Sequence, residues 1–152
     1  MILPIFAYGH PVLKIKANNV DKDFKNLNQL IDNMWETMYN ANGVGLAAPQ
    51  VGISLRLFII DTKPFSDDEK LSEAESLKLK SFKRVFINPK ILNEKGDSWD
   101  FNEGCLSIPE VRADVKRSKN ISLKYYDSNF KEHFSEFDGL VARVIQHEYD
   151  HI

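Results

Sequence analysis

Asp138-Gly139-Leu140-Val141-Ala142-Arg143-Val144-Ile145-Gln146-His147-Glu148-Tyr149-Asp150-His151 runs to within one residue of the end of the 152-residue sequence. Leu140, Val144, Ile145 and His147 recur there at helical spacing, so this stretch reads as a helix opened by Asp138-Gly139. His147 and His151 stand four apart, one turn above each other, and both imidazoles can reach a common ion. They continue the stripe of Leu140 and Val144, which turns them toward the interior. Glu148 lies about 100° around from His147. It can therefore approach a water activated by a divalent ion and take its proton without being a ligand. Asp150 either orients a partner or sits at the surface.

Strands read outward from that helix. Ile121–Tyr126 and His133–Phe137 form a hairpin around Asp127-Ser128-Asn129, and Leu57–Ile60 and Val85–Ile87 are short branched and aromatic runs between turn formers. Phe24, Leu27, Leu30, Ile31, Met34, Trp35 and Met38 predict a long helix over about Asp23–Asn40, capped by Asp21 or Asp23 and ended by Asn42-Gly43. Between Pro64 and Ser81 a charged stretch, with Leu71, Ala74 and Leu77 at helical spacing, predicts a solvated insertion carrying a short helix. The apolar start Met1–Phe6 reads as an extended segment packed on the core. The expected fold is α+β: antiparallel strands packed around a central metal-binding helix, with a long N-terminal helix, in one domain over residues 1–152.

Composition agrees with a soluble globular chain, 43% hydrophobic and 28% charged with a net charge of −2. No basic surplus marks a nucleic-acid binder, and no apolar run approaches the ~18 residues that span a bilayer. A single cysteine excludes an internal disulfide, and without an export signal it predicts a reducing cytoplasm.

A catalytic metal site needs a third protein ligand and an open position. His10 precedes Pro11 in a turn and His133 sits on an alternating strand, so both read as structural or exposed. Cys105, in Glu103-Gly104-Cys105-Leu106-Ser107, is the favoured third ligand, because thiolate binds iron or zinc well and Gly104 allows close backbone approach. A Cys-His nucleophile ranks below, since it leaves the spacing of Glu148 and His151 without purpose. Gly43-Val44-Gly45-Leu46-Ala47-Ala48-Pro49-Gln50 lacks the Lys-Ser/Thr of a phosphate loop. Its small residues suit close approach to a ligand better than a core layer. Gln50 offers an amide donor for an oxyanion, or is an ordinary exposed glutamine.

Taken together, Gly43–Gln50, Glu103–Ser107 and Gln146–His151 resemble the three signature motifs of the peptide deformylases, in order, and the resemblance extends along the whole chain. It implies hydrolysis of the formyl group from N-terminal formylmethionine of new polypeptides, releasing formate. It implies one divalent ion, natively Fe²⁺ with Zn²⁺, Ni²⁺ or Co²⁺ able to replace it, held by Cys105, His147 and His151. Glu148 would be general base and then acid, and Gln50 with the backbone N–H of Leu106 would stabilise the oxyanion. Val44, Gly45, Glu103, Gly104 and Arg112 would line the substrate cleft, with the formyl hydrogen beside Gly45 and the methionine side chain against Val144. The family usually continues past the last histidine, and a ribosome contact through such an extension is left open. HExxH alone is shared with zinc proteases, so a metallopeptidase and a non-catalytic, metal-stabilised peptide-binding domain stand as rival readings.

Overall fold

The computed structural model describes residues 1–6, 16–67, 71–105 and 108–152; side chains of residue 97 and residues 99–116 lie outside that description. Among the described residues five antiparallel strands follow one another in chain order across one sheet: β1 (Gly45–Ala47), β2 (Leu57–Asp61), β3 (Lys83–Cys105), β4 (Ile108–Tyr126) and β5 (Glu132–Asp138). Helix α1 (Leu27–Asn40) precedes the sheet, α2 (Glu73–Ser81) lies between β2 and β3, and α3 (Gly139–Tyr149) follows β5.

The sheet has a helix on each face. Leu57 and Ile59 of β2 pack in one apolar cluster with Met34 and Met38 of α1. Phe58 and Ile60 pack in the other with Val141 and Ile145 of α3. All four β2 residues are fully buried, which explains why β2 reads as an unbroken apolar run rather than an alternating one. The expected α+β arrangement is thus present, with α3 in the core layer on one face.

The end of α1 follows its sequence signal. Asn42 takes the left-handed conformation (φ 56°), the Gly43 N–H donates to Met38 O and the Asn42 N–H to Tyr39 O. These are the paired bonds of a Schellman stop, formed here with asparagine in the left-handed position. The start differs from expectation. Asp21 Oδ1 accepts from the Asp23 N–H in a turn ahead of the helix, and the helix begins only at Leu27 after a left-handed Asn26. Phe24, 39% exposed, falls outside the buried stripe.

The charged stretch carries the expected short helix, but on a different face. Ser72 caps α2 by accepting from the Glu75 N–H, with Glu73 and Glu75 at the positive end of the helix dipole and Lys78 and Lys80 at the negative end. Ala74 and Leu77 point to solvent, whereas Leu79 and Phe82 are buried in the α3-side core. Thr62 Oγ1 donates to Leu79 O, and Lys78 pairs with Asp138 at the entry to α3. Most of the segment is solvated as expected, while Leu79, with Leu71 partly buried beside the same cluster, ties it to the core.

His133 is structural, as read. It stacks on Tyr125 with ring centroids 5.0 Å apart and hydrogen-bonds Asp127 at 2.8 Å. That bond, helped by the N–H groups of Lys131 and Asn129, holds the Asp127 carboxyl below its ordinary range.

Phe58 and Phe134 provide a test of where the stability resides. Phe58→Ala is expected to cost about 3–5 kcal/mol, while Phe134→Ala, on an exposed strand face, is expected to stay within about 0.5 kcal/mol. Urea unfolding of both variants checks this; equal losses would place the core elsewhere.

Candidate metal centre

Helix α3 presents no exposed face along its middle. Residues 141–146 are all buried, including Arg143 and Gln146, so the one-sided stripe read from sequence is too narrow. A helix buried all round must supply internal partners for its polar side chains. The two histidines leave this buried stretch at its C-terminal end, both partly exposed. Their rings lie 5.3 Å apart at 66°. Ligand-capable atoms of His147, Glu148 and His151 all fall within 4.8 Å of one another. Glu148 is only 3% exposed, and its Oε1 lies 3.9 Å from His147 Nε2. Two imidazoles and a buried carboxylate converging on one point, with partial access to solvent, suit a divalent ion. The two imidazoles thus fit as two ligands of a divalent ion, with the Glu148 carboxylate beside it.

Neighbouring residues hold that last turn in place. Gln146 Nε2 donates to Ser118 O at 2.9 Å and to Ala142 O at 3.1 Å, joining α3 to the backbone of β4. Asp150, immediately before His151, accepts from Arg117 Nη1 at 2.8 Å. Asp150 is thus both at the surface and an anchor. Arg56 lies over the Tyr149 ring, 5.5 Å from its centroid. Sequence reading assigned no role to Gln146, Arg117 or Arg56. The first stands within the histidine motif and was recoverable from it; the two arginines carry no local signal.

The small-residue segment 43–50 behaves differently from its sequence reading. Leu46, Ala47 and Ala48 are fully buried, Ala47 on the α3 side of the sheet and the other two on the α1 side, so these residues do fill core layers. Gln50 is likewise buried, at 1% exposure, which removes the ordinary-surface reading. Residues Ala48–Val51 form a 3₁₀ turn, and Gln50 Oε1 reaches back to accept from the Ala47 N–H at 2.9 Å. This is the reciprocal half of a capping box. It engages the carbonyl end of the side chain and fixes the other end as the donor NH₂. The turn leaves through Gly52 at φ 87°, where an added Cβ would collide with the Phe6 ring. Phe6 N–H in turn donates to Gln50 O, so the N-terminal segment packs on the core here as expected.

Gly45 lies directly against Glu148. An added Cβ would sit 2.9 Å from Glu148 Cγ and 3.0 Å from Cδ. The Glu148 side chain thus lines the side of Gly45 on which a β-carbon would stand. The structure thereby brings the first and third motifs together. Val44 is partly buried against the α3-side cluster, and Val144, 7% exposed, belongs to it. For the middle motif only backbone is described: β3 runs through Glu103 and Gly104 to Cys105, with Gly104 opposite Arg112 on β4. The side chains of Glu103, Cys105 and Arg112, and residue Leu106 as a whole, lie outside the described residues.

A family model described as polypeptide deformylase matches residues 2–152. Peptide deformylase of Christiangramia forsetii is 61% identical over the whole chain, which covers 78% of that relative. The Flavobacterium psychrophilum peptide deformylase is 59% identical with the same coverage. Among solved structures, the Thermotoga maritima peptide deformylase superposes with a TM-score of 0.85 at 39% identity, covering 99% of this chain and 91% of that one. The Synechococcus elongatus peptide deformylase, solved with actinonin, gives 0.81 at 41% identity over 98% and 72% of the two chains.

Asp150→Ala tests the anchoring of the last turn. The pair is exposed on the Asp150 side, so the stability loss is expected to stay below about 1 kcal/mol. Release of Ni²⁺ to a chelator is expected to quicken several-fold, as for loss of a group that orients a ligand. An unchanged release rate would show that Gln146 and the backbone suffice.

Proposed function

The chain belongs to the polypeptide deformylase family, whose members remove the N-formyl group from nascent polypeptides, and on that premise we propose the following division of roles. His147 and His151, with Cys105 as third ligand, hold a divalent ion, Fe²⁺ as the resident metal with Zn²⁺, Ni²⁺ or Co²⁺ as replacements. When bound, the ion supplies Lewis acidity that polarises the formyl carbonyl and makes water acidic near neutral pH. Glu148 accepts the proton of the attacking water on a carboxylate oxygen. It then delivers that proton to the departing amine nitrogen, so formate leaves and the peptide amine is restored.

Gln50 Nε2 and the Leu106 N–H donate to the oxygen as negative charge develops on it. The bond from Ala47 supports this role by presenting the donor end of the Gln50 amide in advance. Val44, Gly45, Glu103, Gly104 and Arg112 hold the peptide; the facing of Gly104 and Arg112 across β3 and β4 supports a shared level for two of them. Val144 borders the methionine side chain. The substrate is a formylmethionyl peptide met in the cytoplasm, with no part for nucleic acid or membrane. No helix among the described residues is long and apolar enough to cross a bilayer.

One observation carries the reading: a carboxylate 3% exposed stands beside two histidines one helical turn apart. The family-model match over residues 2–152 favours this reading over a metallopeptidase or a non-catalytic domain. With metal-loaded protein, formate should be released from formyl-Met peptides and no internal bond cut. Glu148→Ala should retain the ion while formate release falls by roughly 10²–10⁴. Internal cleavage, or full activity of that variant, contradicts the proposal. The resident ion has its own test. If it is Fe²⁺ beside a thiolate, the iron form should lose activity in aerated buffer faster than the nickel form. Matching half-lives speak against iron.

A further inference from the structure

We infer that Gly45 is a positioning residue for Glu148, its missing β-carbon leaving the space in which the carboxylate arm lies. The inference rests on Glu148 being the proton-transfer group of the proposed function. Any side chain at position 45 would begin 2.9 Å from Glu148 Cγ, 3.0 Å from Cδ and 3.2 Å from Oε1. Cγ is the middle of the side chain rather than its flexible tip, so the arm as a whole would have to move. Neither partner has room to yield. Gly45 is paired with Ile60 of β2, and the next two residues, Leu46 and Ala47, are fully buried. Glu148 is 3% exposed on a helix whose preceding turn is joined to β4 through Gln146.

The oxygen nearest the Gly45 position is the same Oε1 that stands 3.9 Å from His147 Nε2. A methyl group at position 45 would thus displace the atom nearest the first histidine. The contribution is separable from peptide binding. In its proposed peptide-holding role Gly45 can offer a peptide only its backbone N–H and C=O, which alanine keeps unchanged. Only the β-carbon distinguishes the two residues, and that position faces Glu148.

The test is a four-variant cycle of Gly45→Ala and Glu148→Ala in metal-loaded enzyme, read by kcat, KM and thermal midpoint. Gly45→Ala alone is expected to lower kcat about tenfold to a hundredfold with KM within about threefold, as for an ångström-scale misplacement of a catalytic group. Its midpoint should fall as well. In the Glu148→Ala background, adding Gly45→Ala should change neither the residual rate nor the midpoint, because the obstructing atoms are gone. A raised KM with kcat kept would mean that the β-carbon meets substrate, which overturns the inference. So would an unaffected kcat, or equal midpoint losses in both backgrounds. If Gly45→Ala alone does not fold, the double variant decides: folding recovered by Glu148→Ala supports the contact, and no recovery overturns it. Full formate release by Glu148→Ala alone is a different failure, since it removes the proton-transfer role itself.

Discussion

Burying the C-terminal half of α3 is the constraint on which the rest of this structure depends. Within a few residues that half carries an amide, a carboxylate and one imidazole into or beside an apolar layer, with an arginine just ahead of them and the second imidazole in the turn that follows. Polar groups taken out of water are tolerated only when their surroundings supply partners or room. The sheet supplies both. Ser118 O accepts from Gln146, Arg117 donates to Asp150, and Gly45 withholds a side chain where Glu148 lies. The first two are neighbours on β4 and the third lies on β1, far from α3 in sequence.

That arrangement also explains the two-sided sheet. A site held to within a fraction of an ångström needs rigid support around the groups that act. Helix α1 covers the face of β1 and β2 opposite α3, so both strands are buried on each side. Gln50 benefits from the same support. Its amide is oriented by its own turn, and the turn is held at one end by β1 and at the other by Phe6 against Gly52. The orientation of the amide is set by the protein itself, so in the proposed role little reorganisation would remain for the reaction.

The α2 segment belongs to this framework although its charge suggests otherwise. Leu79 and Phe82 share a core with Val141 and Ile145, and Lys78 pairs with Asp138 at the start of α3. Forces on α2 therefore reach the helix that carries the histidines. Its surface charges describe only its outer face.

By itself the sequence determined the helix that carries His147 and Glu148, strand β2, the β4–β5 hairpin and the stop of α1. These depend on periodicity, cap and turn chemistry within a few residues, which can be read locally. The sequence reading missed β1 and took in only short pieces of β3 and β4. It pointed to the wrong face of α2, because Ala74 and Leu77 have the same spacing as core residues and only packing distinguishes them. It also read small residues at 45–48 as room for a ligand. Tertiary structure decided that they face packed layers, that α3 is buried all round, and that Gly45 lies under Glu148. The physical reason is distance along the chain. Whether a missing β-carbon makes room for substrate, core or carboxylate depends on what another element brings against it, and that element lies far away in sequence.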